Sequence, residues 1–366
     1  MVEVVSSGGV NGMNIAVIGA SGSIGSELAR RIIATRLLEH NERLQLVGRE
    51  GGPSSHILYG LSTDLMDAYD EICPTVEVIL DPKDISADLI IMAAGTTAPS
   101  THSSPNPTRD SLAKKNIPIF EYYASVLSRH GHGNEIVICV SNPNELNVEI
   151  FARHLDRKRV IGMGAYLDSL RFRKEIAQDL CLHRQKIHGF MVGEHGSNMV
   201  PLWSNVHVYG FKKDALKMAI DKIRKGYATV NFPEDIARAR DPINTLIQEG
   251  NVRRAYDLAN QYPPDLRTVL KPDITHFSGS KTVTGTVNAT LELVNTITMG
   301  HDTFISGQIK LEGEFYGIYG TIGVPFLIGN CGVEKVLEIP LEREEKQLLI
   351  KNAKNINQKI CQWLAT

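Results

Sequence analysis

The chain lacks the features that mark several large functional classes. Its five cysteines, Cys73, Cys139, Cys181, Cys331 and Cys361, are odd in number, scattered, and never spaced Cys-x-x-Cys. That argues against a disulfide framework or a structural zinc site, so no metal is expected, and it points to a reducing, cytoplasmic setting. Neither sign of charge is in excess: 39 Lys and Arg face 41 Asp and Glu, for a net charge of −2. A nucleic-acid partner would call for a basic excess or stripe. No apolar run approaches the roughly 18 residues that cross a bilayer, so no membrane partner is expected. The first residues, MVEVVSSGGVNG, lack a basic segment followed by an apolar stretch. They read as a loose tail over 1–12 rather than a secretory signal, with Met13 as a natural start. What remains is an ordinary globular composition, 42% apolar and 22% charged, over 366 residues. That is enough chain for one large domain or two.

From Asn14 the pattern becomes strand and helix in alternation. The run Ile15-Ala16-Val17-Ile18 ends in a glycine-rich turn, after which Ile24, Leu28 and Ile32 recur at helical spacing. Further short apolar runs stand at 44–47, 89–94 and 136–140. Continuous apolar runs separated by helical patterns are what strands buried on both faces of a parallel sheet look like. Beyond Val160 the pattern is mixed, with a helix predicted over 167–182 and strands near 186–192 and 205–209. The charged segment near 233–277, with Pro263 and Pro264, reads as an inserted helical excursion on the surface. Glycine-punctuated strands follow at 305–328. A last amphipathic helix carries Leu349, Ala353, Ile356, Ile360 and Trp363 at spacings of four and three.

The expected fold class is therefore α/β. A Rossmann-type, doubly wound parallel sheet would occupy 13–160, and a mixed α+β substrate domain 161–366. Within the first, Gly19-Ala20-Ser21-Gly22-Ser23-Ile24-Gly25 sits directly after a strand and opens a helix. Gly19, Gly22 and Gly25 suit a tight turn that lets a pyrophosphate approach the free N–H groups of Ser21, Ser23 and Ile24 at a helix start. An NAD site places a carboxylate at the tip of the second strand, about 20 residues past the glycines, whereas an arginine there accommodates a 2′-phosphate. Here Gly48 is followed by Arg49, which favours NADP(H), with NAD(H) kept open by Glu50.

Four more stretches carry chemistry. Ser141-Asn142-Pro143-Asn144 follows a strand, which puts Asn142 at the carboxyl edge of the sheet, where open α/β sheets bind ligands. Asp168 and Arg171 in LDSLRF lie three apart, on one helix face. His195 stands between glycines in Gly193-Glu194-His195-Gly196. Arg109 closes a long Pro/Ser/Thr loop that begins at Gly95.

Together with the glycine turn, these stretches resemble the lactate/malate dehydrogenase family, from Met13 to the last helix. The VGRE strand end is similar to malate dehydrogenase-like members that accept or prefer NADP. The resemblance implies a hydride-transferring 2-hydroxyacid dehydrogenase acting on a small 2-oxo or 2-hydroxy acid, assembled as a homodimer or homotetramer. His195 would be the acid/base, with Asp168 fixing its tautomer. Arg171 would grip the substrate carboxylate with a bidentate fork. Arg109 would polarise the reacting carbonyl. Asn142 would hydrogen-bond near the reacting oxygen, and Thr286 would line the substrate pocket. Gly95, Asn116, Val140 and Asn142 would complete the cofactor wall. An NAD-dependent malate dehydrogenase and a nucleotide-binding regulatory protein without turnover are the alternatives.

The sequence departs from the family pattern in its lid. Residues 96–107, TTAPSTHSSPNP, contain neither the arginine of malate enzymes nor the glutamine frequent in lactate enzymes. His102 and Asn106 are its candidate donors. No second guanidinium is expected for a distal carboxylate, which leaves a neutral or larger 2-oxo acid as suitable as a dicarboxylic one.

Overall fold

The computed structural model describes residues 12–97, 109–196 and 198–365. Residues 1–11 of the expected tail and the lid residues His102 and Asn106 lie outside the described residues. The first half runs β1 (Ile15–Ile18), α1 (Ser23–Ala34), β2 (Arg43–Val47), α2 (Pro53–Ala68), β3 (Thr75–Ile79), β4 (Leu89–Met92), α3 (Arg109–His130), β5 (Ile136–Cys139), α4 (Asn144–His154) and β6 (Val160–Gly162). These six strands pair in parallel in the order β3-β2-β1-β4-β5-β6. Every residue of β1, β4 and β5 is buried, as their unbroken apolar runs require of a sheet covered on both faces. The edge strand β3, TVEVI, is only half-buried. It lacks a continuous apolar run, and sequence reasoning passed over it for that reason.

The second half runs α5 (Gly164–Asp179), β7 (Ile187–His188), β8 (Met191–Glu194), β9 (Asn198–Pro201), β10 (His207–Val208), α6 (Lys213–Arg224), α7 (Phe232–Gln248), α8 (Val252–Ala259), α9 (Pro264–Phe277), α10 (Val283–Thr298), β11 (Thr303–Glu312), β12 (Tyr319–Gly329), β13 (Gly332–Val336) and α11 (Arg343–Leu364). Gln308 of β11 pairs with Gly162 of β6, so the parallel sheet continues into an antiparallel one through β11, β12, β8 and β9. Among the described residues this makes a single sheet of eleven strands, with β13 added on β12, beside a two-stranded β7–β10 ribbon. The predicted last helix is α11, with Leu349, Ala353, Ile356, Ile360 and Trp363 all buried. No helix among the described residues is long and apolar enough to cross a membrane.

The charged segment near 233–277 is helical, but it is not a surface excursion. Phe232, Ile236, Ala239, Ile243 and Ile247 of α7 recur every three or four residues and are buried. They form a second core with Phe172 and Ile176 of α5, Trp203, and Leu270 and Ile274 of α9. Its charges occupy the outer faces of helices whose inner faces are apolar, and composition alone averages the two. Each of the buried Phe, Ile and Leu side chains among them contributes about 1.5–3 kcal/mol by leaving water. The segment is thus anchored to α5, the helix that carries Asp168 and Arg171.

Candidate active site

The cradle for a nucleotide forms where β1 meets α1. Gly19 has φ +84°, and a Cβ there would stand 2.7 Å from the Cα and N of Ala94 on the neighbouring strand's end. At Gly25 a Cβ would meet the Gly19 carbonyl oxygen at 2.3 Å, so only glycine lets the helix approach its own turn this closely. Gly22 caps α1 without any side-chain hydrogen bond, and the first turn carries no acidic residue. The N–H groups of that turn are therefore available to an anion at the positive helix end. Ser21 and Ile24 are half-buried and Ser23 is exposed beside them. Gly48 is buried just past β2, where a Cβ would lie 2.4 Å from Leu58 Cδ1. Arg49 and Glu50 follow it, both exposed.

Asn116 of α3 joins two loops at the carboxyl edge of the sheet. Its fully buried amide accepts from Thr96 N at 2.7 Å and donates to Asn142 O at 2.7 Å. Gly95 packs on that amide, and Val140 is tied to β4 through Met92 O at 3.0 Å. The side chain of Asn142 is exposed at this edge. The predicted wall residues Gly95, Asn116, Val140 and Asn142 are thus adjacent, and Asn116 is the residue that links them.

The acid/base group is built by α5 and the turn after β8. His195 Nδ1 stands 2.7 Å from Asp168 Oδ2, and Arg171 donates to the other oxygen, Asp168 Oδ1, at 3.3 Å. Asp168 is 1% exposed, whereas the His195 side chain retains 15%, so the carboxylate is sealed and the imidazole is reachable. Burial pushes the Arg171 guanidinium down from its ordinary value, and the charge of Asp168 opposes that. Ser169, between them in sequence, receives a hydrogen bond from Met191 N at 2.8 Å. That bond locks α5 to the strand leading to His195.

Two carboxylates that sequence reasoning missed hold the turn itself. Glu145 of α4, fully buried, accepts from His195 N at 2.6 Å and from Gln308 Nε2 at 3.1 Å. Glu194 is ion-paired with Arg109, whose second amino group donates to the His195 carbonyl. Gly196, at φ +101°, lies so close that a Cβ would come within 2.6 Å of the Arg109 guanidinium. A buried acid beside a motif histidine was the available signal for Glu194. Glu145 gave none, because it follows an Asn-Pro-Asn turn that reads as an ordinary helix start. Thr286 is buried in α10 with its hydroxyl donating to Thr282 O at 2.9 Å, and Asn288 is engaged with Glu292. The hydroxyl proton of Thr286 is thus spent within its own helix, on the turn that precedes it.

Comparison with known proteins supplies the family. Residues 13–162 match the model of the lactate/malate dehydrogenase NAD binding domain. A malate dehydrogenase of Chlorobium phaeobacteroides is 28% identical over 357 residues, covering 96% of this chain and 98% of that protein. An L-lactate dehydrogenase of Staphylococcus saprophyticus is 27% identical, covering 76% of this chain and 77% of its own. Residues 13–162 thus belong to the lactate/malate dehydrogenase NAD binding domain family, and nearly the whole chain is similar to malate dehydrogenases. Its fold agrees with that of Cryptosporidium parvum malate dehydrogenase, at TM-score 0.74 and 21% identity over 97% of this chain and 99% of that one. It also agrees with C. parvum lactate dehydrogenase, solved with lactic acid and nicotinamide adenine dinucleotide, at TM-score 0.73 and 24% identity over 98% and 99%.

In this chain the glycine cradle and the Asp168–His195–Arg171 cluster lie at opposite ends of one chemical task. The first suits a dinucleotide, and the second suits a proton and a carboxylate. No group of three or more His, Cys, Asp or Glu among the described residues is arranged to hold a metal ion.

Proposed function

We propose that the chain is a nicotinamide-dependent dehydrogenase that interconverts a 2-oxo acid and the corresponding 2-hydroxy acid, with NADP(H) preferred. One observation carries this reading: a single buried carboxylate, Asp168, engages both an accessible imidazole and a guanidinium. With Nδ1 of His195 taken by Asp168, Nε2 is the nitrogen that exchanges a proton with the substrate oxygen. Asp168 fixes the tautomer and steadies the ring as the proton moves. Arg171 receives the 1-carboxylate in its planar fork. Arg109, held beside His195 through Glu194, brings positive charge to the region where the oxygen gains electron density. The cofactor, when bound in the Gly19–Gly25 cradle, supplies or accepts the hydride.

NADP(H) is favoured by Arg49, exposed directly past β2, and by Gly48, which offers no carboxylate at the strand tip. A second reading, NAD-dependent malate dehydrogenase, draws support from the exposed Glu50 and from the names of the relatives. A homodimer or homotetramer belongs to the same proposal. Its support is an apolar face on α2, where Tyr59 and Met66, seven residues apart and so on one side of the helix, are 57% and 43% exposed. Steady-state oxidation of NADH and NADPH with 2-oxo acids varied in size and charge tests the function. If both nucleotides bind and no acid is reduced, the protein is a nucleotide-binding regulator and the enzyme reading fails.

A further inference from the structure

Strand β11 reads TFISGQIKLE. With the period of two of a strand, Ser306 and Gln308 share one face while Ile305 and Ile309 share the other. Both polar residues are fully buried in the middle of the sheet, where an amide left without partners is costly. The sheet makes room for this one. The residues directly opposite Gln308 on both neighbouring strands are glycines, Gly162 of β6 and Gly323 of β12. A Cβ on the first would stand 2.7 Å from Gln308 Cβ, and one on the second 3.2 Å from Gln308 Nε2.

Both ends of the Gln308 amide are used, and they join the two supports of the His195–Asp168 pair. Its Oε1 accepts from Ala165 N at 3.0 Å. Ala165 lies in the first turn of α5, whose N-cap Met163 makes no side-chain hydrogen bond to that turn. A free N–H at a helix start is usually met by the cap residue itself, and here it is met by a strand 143 residues away. At the other end, Gln308 Nε2 donates at 3.1 Å to Glu145 Oε1, the same oxygen that takes His195 N at 2.6 Å. One turn into α5, Asp168 reaches back to His195 Nδ1 at 2.7 Å. The contacts therefore close a circuit from the backbone of His195 through Glu145, Gln308 and the start of α5 to Asp168 and the imidazole. Ser306, on the same face of β11, donates to Ala165 O at 3.1 Å and grips the same turn.

We propose that Gln308 is a positioning residue for the proton transfer: its amide sets the start of α5, and with it Asp168, at a fixed place against the turn that carries His195. The inference rests on the dehydrogenase reading above and adds to it a buried residue that acts on His195 only through others. An amide suits the place because it accepts on one side and donates on the other. A carboxylate there would face that of Glu145, and a methionine of the same length would leave Ala165 N unpaired.

The test uses the full-length protein, NADPH, and whichever of pyruvate, 2-oxobutanoate and oxaloacetate the wild type reduces best. Gln308→Met should lower kcat about 100-fold while KM and the affinity for NADPH, read by nucleotide fluorescence, stay unchanged. Gln308→Glu should also lower kcat, by setting two buried carboxylates against each other. The exchange Glu145→Gln/Gln308→Glu keeps one carboxylate and one amide at the contact, with an acceptor left for both Ala165 N and His195 N, and should recover most of the kcat lost in Gln308→Glu. A strut without bearing on the chemistry would move the melting temperature alone. A normal kcat in Gln308→Met, a fall in kcat shared with NADPH affinity, or a folded exchange variant that recovers nothing overturns the inference. If Gln308→Met does not fold, the exchange variant decides, and if none of the three folds, Gln308 serves folding alone and the inference falls. A wild-type protein that reduces no 2-oxo acid would instead mean that the dehydrogenase reading has failed.

Discussion

The imidazole of His195 lies directly against Gly164, the first residue of α5: a Cβ built on Gly164 would stand 2.6 Å from the ring Cγ and 2.9 Å from Nδ1. Neither atom can retreat, because Nδ1 is held by Asp168 and the backbone N–H by Glu145. Gly164→Ala should therefore displace the ring by a fraction of an ångström and cut kcat about 100-fold, as misplacing a catalytic group does. Cofactor affinity, measured by nucleotide fluorescence, should be unchanged. A variant with normal kcat would show that the ring has slack that the packing denies.

Cofactor choice turns on two exposed neighbours past β2. Arg49→Asp should move the ratio of kcat/KM for NADPH over NADH towards NADH by tenfold or more, on the order of 1.4 kcal/mol, and Glu50→Gln should move it the other way. Neither side chain is buried, so the melting temperature should stay put. A ratio indifferent to both changes would mean that the adenosine ribose is read elsewhere.

Glu175 is the electrostatic centre between α5 and α9. Burial by itself would push its carboxyl up, but hydrogen bonds from Lys174 and Lys271 and their charges bring it below its ordinary value. Since the folded value is the lower one, the stabilisation is complete at neutral pH. It is lost as pH falls below the unfolded value of about 4.3 and through the folded one. Glu175→Gln should cost about 1.5–3 kcal/mol at pH 7, because the buried Arg267 loses one of its two carboxylates and keeps only Asp179. Thermal unfolding of the variant should also depend less on pH between about 5 and 3 than that of the wild type.

The parts of this site that were readable from sequence are those where one residue type has one job in a local pattern. Gly19 and Gly25 announce a turn that a Cβ would block, and unbroken apolar runs announce β1, β4 and β5. Asp168 and Arg171 share a helix face by spacing alone, and the GEHG motif placed His195 among glycines. The contacts that stayed hidden are set by how helices pack. Arg240 and Asp273 are 33 residues apart and meet only because α7 and α9 share an apolar seam. Glu145 reaches His195 across 50 residues, from a helix whose sequence gives no hint of a buried carboxylate's purpose. Charge-rich stretches such as 233–277 conceal their buried face because composition averages the two sides of a helix.

Arg109 serves stability and chemistry through the same guanidinium, and the two can be separated. Its partner Glu194 is 1% exposed and otherwise receives only Asn198 Nδ2, at 2.6 Å, among the described contacts. Removing the arginine leaves a buried carboxylate without a counter-charge, so Arg109→Ala should destabilise the fold by about 3–5 kcal/mol as well as lower kcat. Glu194→Gln removes the charge that would be stranded while keeping an acceptor for Asn198. The double variant Arg109→Ala/Glu194→Gln should therefore regain most of the lost melting temperature and none of the lost kcat. Recovery of both would reduce Arg109 to a structural tie. Recovery of neither would mean that the bond from Arg109 to the His195 carbonyl, rather than the ion pair, holds the turn.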